Sequence, residues 1–271
     1  LHLHFFKNFN FIEGNVLNKN LIKKNLKNKD FIIPLAALVG APLCDKHPRM
    51  TKLLNVEAIR TICQLAGKKQ KIIYLTSNSG YGIGKKDKYC DENSPLNPVS
   101  LYGRTKNEAE KIVIQRGNCV AFRLATVFGF SYRMRTDLLV NFMTLKALKE
   151  GKIKVFEPHF RRNFIHVRDV ANAILFSVKN FERIKNNTYN LGLSTANITK
   201  LDLLKKIKKY VPKLKIIINN KLKDPDQRDY FVSNRKIEKA GFKASINLET
   251  GIKELIKVFN SIKNQKFKNN Y

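Results

Sequence analysis

Tyr102 and Lys106 stand four residues apart in NPVSLYGRTKNEAEK, residues 97–111. A phenol that can lose its proton is a general base for an alcohol, provided it lies within hydrogen-bond reach of that alcohol. A free tyrosine has a pKa of ~10, and lowering it by ~3 units requires about 4 kcal/mol of preferential stabilisation of the phenolate. A nearby ammonium supplies part of that. Spacing alone proves little, because the chain has 9 Tyr and 52 Lys plus Arg, and chance is expected to give about one such pair. A second one exists, Tyr81 with Lys85 in SNSGYGIGK.

Context separates the two pairs. Tyr81 lies among glycines directly after the apolar run KIIYLTS, which reads as a strand running into a loop, where positions four apart need not share a face. Tyr102 follows Pro95, Pro98 and Ser100, as helices begin, and the helix-forming run KNEAEKIVIQ follows it. On a helix, residues four apart lie one above the other. Only Tyr102 and Lys106 are expected to act as a unit.

The elements around them read as alternating strand and helix. FNFIEG (9–14), DFIIPLA (30–36), KIIYLTS (71–77) and CVAFRLATVFG (119–129) have the composition of buried strands, with helices expected over 47–67 and 100–116. That alternation implies a parallel sheet with helices on its faces. In such sheets ligands bind beyond the carboxyl ends of the strands, which is where Ser77 and the loop LAALVGAP fall. Beyond about residue 130 the pattern loosens into a smaller α+β region. It comprises a helix near 136–150, the runs KIKVFE and RRNFIHV, the helix DVANAILFSV, TYNLGL, a helix near 199–210, KIIINN and a helix near 248–262. The end, KNQKFKNNY, reads as a frayed tail over 263–271.

At 271 residues with 43% apolar residues the chain can bury a sizeable core. Its net charge of +31 first suggests nucleic acid or an anionic surface. The lysines are spread along the whole length and come with many asparagines, which fits a composition bias, so we expect neither a nucleic-acid partner nor a membrane. Cys44, Cys63, Cys90 and Cys119 form no C-x-x-C and no zinc cluster, and free thiols in a reducing cytoplasm are expected. The longest apolar run, FIIPLAALVGAPLC, is short for a bilayer and is broken by proline. The opening LHLHFF lacks the features of a signal peptide.

Eight stretches in order resemble the markers of the extended short-chain dehydrogenases/reductases, in their nucleotide-sugar epimerase/dehydratase branch (UDP-glucose 4-epimerase-like). They are EGNV (13–16), PLAALVGAP (34–42), NVEAIRTI (55–62), TSNSGYG (76–82), YGRTK (102–106), RLATVFG (123–129), RRNFIHVRDVANAI (161–174) and DPDQRDYFVSNRKIEKAGFK (224–243). The resemblance implies an α/β fold: a Rossmann-like doubly wound parallel sheet with its first β-α unit missing, and a smaller α+β substrate-binding region. Residues 1–130 would form the NAD-binding part with 163–193 contributing, and 131–162 with 194–262 the substrate-binding region.

By the same resemblance the cofactor is NAD. Ser77, Tyr102 and Lys106 are catalytic: Tyr102 as base, Lys106 lowering its pKa and holding the nicotinamide ribose, Ser77 orienting the reacting hydroxyl. Asn15, Val16, Leu35, Ala36, Ala37 and Asn55 would line the cofactor. Ser77, Thr126, Arg162 and Arg228 would bind the substrate, the two arginines gripping a diphosphate with planar guanidinium forks. Arg161 competes with Arg162 for that role, and no metal is expected. His166, inside FIHV, reads as a buried structural residue.

Three departures accompany the resemblance. The glycine fingerprint G-x-x-G-x-x-G, which lets the backbone approach a pyrophosphate at a helix N-terminus, is absent from the sequence. The chain therefore reads as a piece lacking that segment. Asn15 stands where Asp is usual, and Thr126 where Asn is usual. The implied function is epimerisation of a nucleotide sugar by transient oxidation and hydride return, in a cytoplasmic homodimer built on 47–67 and 100–116. The alternatives are a nucleotide-sugar dehydrogenase or ketoreductase and, of another class, a non-catalytic RNA-binding relative. Asn78 and Ser79 occupy the positions where sugar 4,6-dehydratases carry an acid-base pair, and neither is a carboxylate.

Overall fold

The computed structural model describes residues 3, 5–84, 88–219 and 228–262. Its strands are β1 (Phe31–Ile32), β2 (Lys71–Ser77), β3 (Tyr89–Cys90), β4 (Cys119–Leu124), β5 (Thr126–Phe128), β6 (Lys152–Val155), β7 (Arg161–His166), β8 (Asn187–Leu191), β9 (Asn197–Thr199), β10 (Lys215–Ile218) and β11 (Phe231–Val232). Its helices are α1 (Lys19–Leu26), α2 (Ala41–Lys46), α3 (Pro48–Lys52), α4 (Ala58–Leu65), α5 (Leu101–Arg116), α6 (Leu139–Glu150), α7 (Val167–Lys179), α8 (Phe181–Ile184), α9 (Lys200–Tyr210), α10 (Arg235–Lys239) and α11 (Leu248–Ser261).

The main sheet runs β1-β2-β4-β8, every pair parallel. Side chains alternate across a strand, and here the alternation sorts the core into two layers. Ile72 and Tyr74 of β2 and Cys119 of β4 pack with Ile59 and Ile62 of α4 and with Ala109 and Val113 of α5. Ile73, Val120 and Phe122 face the other way, toward Ala173 of α7 and Phe181 and Ile184 of α8. Helices on both faces of a parallel sheet is the α/β arrangement expected.

CVAFRLATVFG, expected as one strand, is two. The Ala125 N–H still donates to Leu191 O of β8 at 2.9 Å. Residues 126–128 then leave the main sheet and pair in parallel with β7, which pairs antiparallel with β9 on its other side. The split carries the chain out of the NAD-binding side expected for 1–130, so Thr126 and Arg162 end on one small sheet. Two further pairs, β3 with β11 and β6 with β10, are parallel. The β3–β11 pair is extended by a parallel bridge between Ile83 and Asp229 and by Gly84 N–H donating to Asp229 O at 2.8 Å, which brings Arg228 beside the loop that follows β2.

FNFIEG is not a strand. Phe9, Phe11 and Ile12 are exposed and residues 9–14 run in irregular backbone. A strand needs a neighbour for its N–H and C=O groups, and among the described residues β1 pairs with β2 alone. The helix expected over 47–67 is observed as α3, a π-helical turn over Leu53–Glu57, and α4. α6 begins at Leu139 instead of 136. No helix among the described residues is long and apolar enough to cross a membrane. The 263–271 tail lies outside the described residues.

Candidate active site

Ser100 starts α5 as the sequence foretold, its side chain accepting the Gly103 N–H at 3.1 Å. Gly103 is required by packing: a Cβ there would lie 2.9 Å from Pro98 Cβ and 3.0 Å from Ser79 O. Without it, the first turn of α5 lies directly against the loop after β2. Tyr102 and Lys106 therefore project from successive turns toward the carboxyl end of that strand. Lys106 is buried, donates to Leu75 O at 2.6 Å, and has its ammonium 4.4 Å from the centre of the Tyr74 ring. Burial lowers its pKa to about 7, against the opposing pull of Glu110 one turn further on.

Ser77 ends β2 and caps the short 3-10 turn Asn78–Tyr81. Its Oγ accepts the Ser79 N–H at 3.1 Å and the Ser79 hydroxyl at 2.9 Å, and it shares the cavity lining with the Tyr102 phenol. The Tyr102 pKa is raised in this structure, not lowered, because burial penalises the phenolate. The groups that oppose burial are the Ser77 hydroxyl, Arg228 and Arg135. Lys106, expected to supply part of the balancing charge, is bonded to the Leu75 carbonyl, and Arg228 and Arg135 are the cations that favour the Tyr102 phenolate here.

These residues open onto one cavity of about 550 Å³ lined by Ser77, Tyr102, Lys106, Thr126, Arg162 and Arg228, with Leu35 and Ala37 at one side. Arg162 is 3% exposed. Arg161 turns away, donating from its backbone N–H and its Nε to Asp229 Oδ1, each at 2.9 Å. That settles which of the neighbouring arginines reaches the cavity. It also fixes Arg228, because Asp229 is the next residue.

Sequence reasoning missed Arg135, Asp137 and Asn141, which line the same cavity. Arg135 donates to Asp137 from Nε at 2.9 Å. Asn141 of α6 donates to Arg135 O at 2.8 Å and accepts the Gly129 N–H at 3.0 Å, which ties down the intervening loop beside the cavity. The loop belongs to none of the eight motif stretches, so no signal marked it. Among the described residues no group of His, Cys, Asp and Glu could hold a metal ion, and the four cysteines are buried and free. His166 is structural: its Nδ1 accepts the Arg168 N–H at 3.2 Å and its Nε2 meets Glu254 at 2.9 Å.

A family model described as NAD dependent epimerase/dehydratase family matches residues 2–192. The chain belongs to this family. Among curated relatives, UDP-glucuronate 4-epimerase 2 of Arabidopsis thaliana is 25% identical over 275 residues, 91% of this chain and 62% of the relative. UDP-glucose 4-epimerase of Lactobacillus helveticus is 25% identical over 224 residues, 73% of this chain and 67% of the relative. The chain thus spans under two thirds of the length of the plant relative. Among solved structures, UDP-glucuronic acid 4-epimerase from Bacillus cereus, in complex with UDP-glucuronic acid and NAD, superposes with a TM-score of 0.85 at 20% identity, covering 96% of this chain and 84% of that one. dTDP-glucose 4,6-dehydratase from Bacillus anthracis, in complex with NAD, superposes at 0.82 with 20% identity, covering 96% and 82%. The shared fold is the Rossmann-like one.

NAD is the family's cofactor, and the described residues fit one end of it. Leu35 and Ala37 line the cavity beside Lys106 and Tyr102, where an apolar wall and an amine suit a nicotinamide and its ribose. The other cofactor residues expected are not brought there. Val16 and Ala36 line a separate apolar groove of about 260 Å³ beside β1, which Leu35 also borders. Asn15 is exposed, its side chain accepting the Leu17 N–H two residues on. Asn55 is 1% exposed; it accepts the Leu38 N–H and donates to Leu38 O, both at 2.9 Å, with a weaker reach of 3.4 Å to Thr105. Both of its 2.9 Å bonds tie the loop at Leu38 to the π-helical turn Leu53–Glu57.

Proposed function

We propose that this chain carries the catalytic site of an NAD-dependent nucleotide-sugar epimerase. The observation that carries the reading is one cavity lined together by Ser77, the Tyr102 phenol, Lys106 and two arginines, Arg162 and Arg228. NAD, when bound, supplies the hydride acceptor. Tyr102 removes the proton of a sugar ring hydroxyl as hydride leaves the same carbon, and returns the proton when hydride comes back to the opposite face of the keto sugar. Ser77 holds the reacting oxygen. Lys106 orients the cofactor's ribose from its anchor on Leu75 O. The guanidinium forks of Arg162 and Arg228 hold the substrate diphosphate, so the sugar can turn while the nucleotide stays fixed.

Elimination of water from the sugar is disfavoured by the residues present. Asn78 and Ser79 are both buried outside the cavity lining, and neither can act as an acid or base near neutral pH. The full-length protein should therefore be assayed with a panel of nucleotide sugars that includes UDP-glucose and UDP-glucuronic acid. The expected product is inverted at one ring carbon, keeps its substituents at C6, and forms without net NADH. Stoichiometric NADH release or a 6-deoxy product would overturn the reading.

A further inference from the structure

Charge is unevenly spread over the cavity wall. Among the described residues that line it, Lys106, Arg135, Arg162 and Arg228 are basic and Asp137 is the one acid. Asp137 is gripped side-on by Arg135, whose Nε donates to Oδ1 at 2.9 Å and whose Nη2 donates to Oδ2. The Asp137 side chain is 8% exposed. Burial alone would push its pKa up, but the hydrogen bonds and charge of Arg135 hold it below the ordinary carboxylate value. Asp137 is therefore an anion at neutral pH. The loop carrying the pair is held by Asn141, which bonds both Arg135 O and the backbone of Gly129.

A carboxylate can accept at about four lone-pair positions. Arg135 takes one on each oxygen, so Asp137 keeps acceptor positions for a ligand's donors, and sugar hydroxyls are such donors. A uronic acid brings a carboxylate in place of a hydroxyl. At neutral pH that group has no proton to donate, and it carries the same sign as Asp137. With Arg162 and Arg228 on the diphosphate, Arg135 is the remaining guanidinium, and it could answer a second carboxylate only by releasing Asp137.

We propose that the Arg135–Asp137 pair selects the sugar, admitting the nucleoside diphosphate of an uncharged hexose and rejecting that of a uronic acid. The inference rests on the reading of Arg162 and Arg228 as the diphosphate clamp. Discrimination of this kind works by repelling the wrong ligand as well as by attracting the right one. It needs no change in the catalytic residues, because Asp137 and Arg135 act on the bound sugar's substituents and leave the proton transfer to Tyr102.

Equilibrium binding to the full-length protein tests this with two matched pairs, UDP-glucose against UDP-glucuronic acid and GDP-mannose against GDP-mannuronic acid. The nucleotide is common within each pair, so the ratio reports the sugar. In the pair that binds, the neutral sugar should bind about tenfold tighter or more, the scale of one hydrogen bond to a charged acceptor. Asp137→Asn keeps the shape and uncovers the charge of Arg135, so the uronic acid should bind about tenfold tighter than to wild type while the neutral sugar weakens. Arg135→Gln leaves Asp137 unopposed and should weaken the uronic acid further. Opposite effects from the two halves of one ion pair separate selection from a purely structural role, since a disturbed loop would weaken both ligands in both variants. Equal wild-type affinity for the two sugars, or changes of the same sign for the uronic acid in both variants, would overturn the inference. A protein that shows these preferences yet inverts no ring carbon keeps the selector and loses the epimerase reading. One that epimerises the neutral and acidic sugars equally well keeps the reading and loses the selector, and binding of no member of either pair would overturn both.

Discussion

Tyr81 and Tyr102 carry the same short pattern and meet opposite ends. Tyr81 is 2% exposed, and its hydroxyl lies 2.7 Å from Asn190 Oδ1, 2.9 Å from Asp91 O and 3.0 Å from the Arg123 guanidinium. Burial pushes its pKa far up. Lys85 lies outside the described residues. Tyr102 keeps part of its surface on the cavity, within reach of Ser77, and feels two arginines. Equal spacing thus carried no information about role. One tyrosine has every polar contact used inside the protein, and that makes it a fastener. The other has its oxygen placed where a substrate can come, and that makes it a candidate base.

The fastener side of the comparison should show in stability. Arg123 of β4 meets Glu110 of α5 at 2.7 Å with both side chains nearly buried, at 7% and 6% exposure. Glu110→Ala leaves the guanidinium buried without its carboxylate and should cost about 3–5 kcal/mol in denaturant unfolding. A loss below about 1 kcal/mol would mean that water reaches the pair and that the network is not what fixes α5 on the sheet. Tyr81→Phe is the smaller perturbation. It removes the hydroxyl that Arg123, Asn190 and Asp91 share, and should cost about 1–3 kcal/mol while leaving turnover of the folded enzyme near normal. A large fall in kcat with stability intact would erase the distinction between the two tyrosines.

What could be read in the sequence was local. Ser100, the turn residues before it and the good helix formers after it announce α5, and α5 forms from residues near in sequence. Ser77 was placed by the apolar run that ends at it. The misreadings share a different cause, which is that a partner far along the chain decides. Residues 9–14 have strand composition but pair with no strand among the described residues. The run over 119–129 breaks at Ala125 because β7, some forty residues on, takes the rest. Arg135 and Asp137 carry no motif, and Asn141, on the helix that follows, ties their loop beside the cavity. The raised pKa of Tyr102 depends on burial, and burial is a property of the assembled fold.

The most direct test of the account is turnover of Tyr102→Phe beside Tyr81→Phe in the full-length protein, on whichever nucleotide sugar the wild type epimerises. Loss of the general base should lower kcat by about a hundredfold or more in Tyr102→Phe, with NAD binding and unfolding midpoint close to wild type, while Tyr81→Phe keeps its turnover and loses stability. Near-normal kcat in Tyr102→Phe would contradict the assignment of the base.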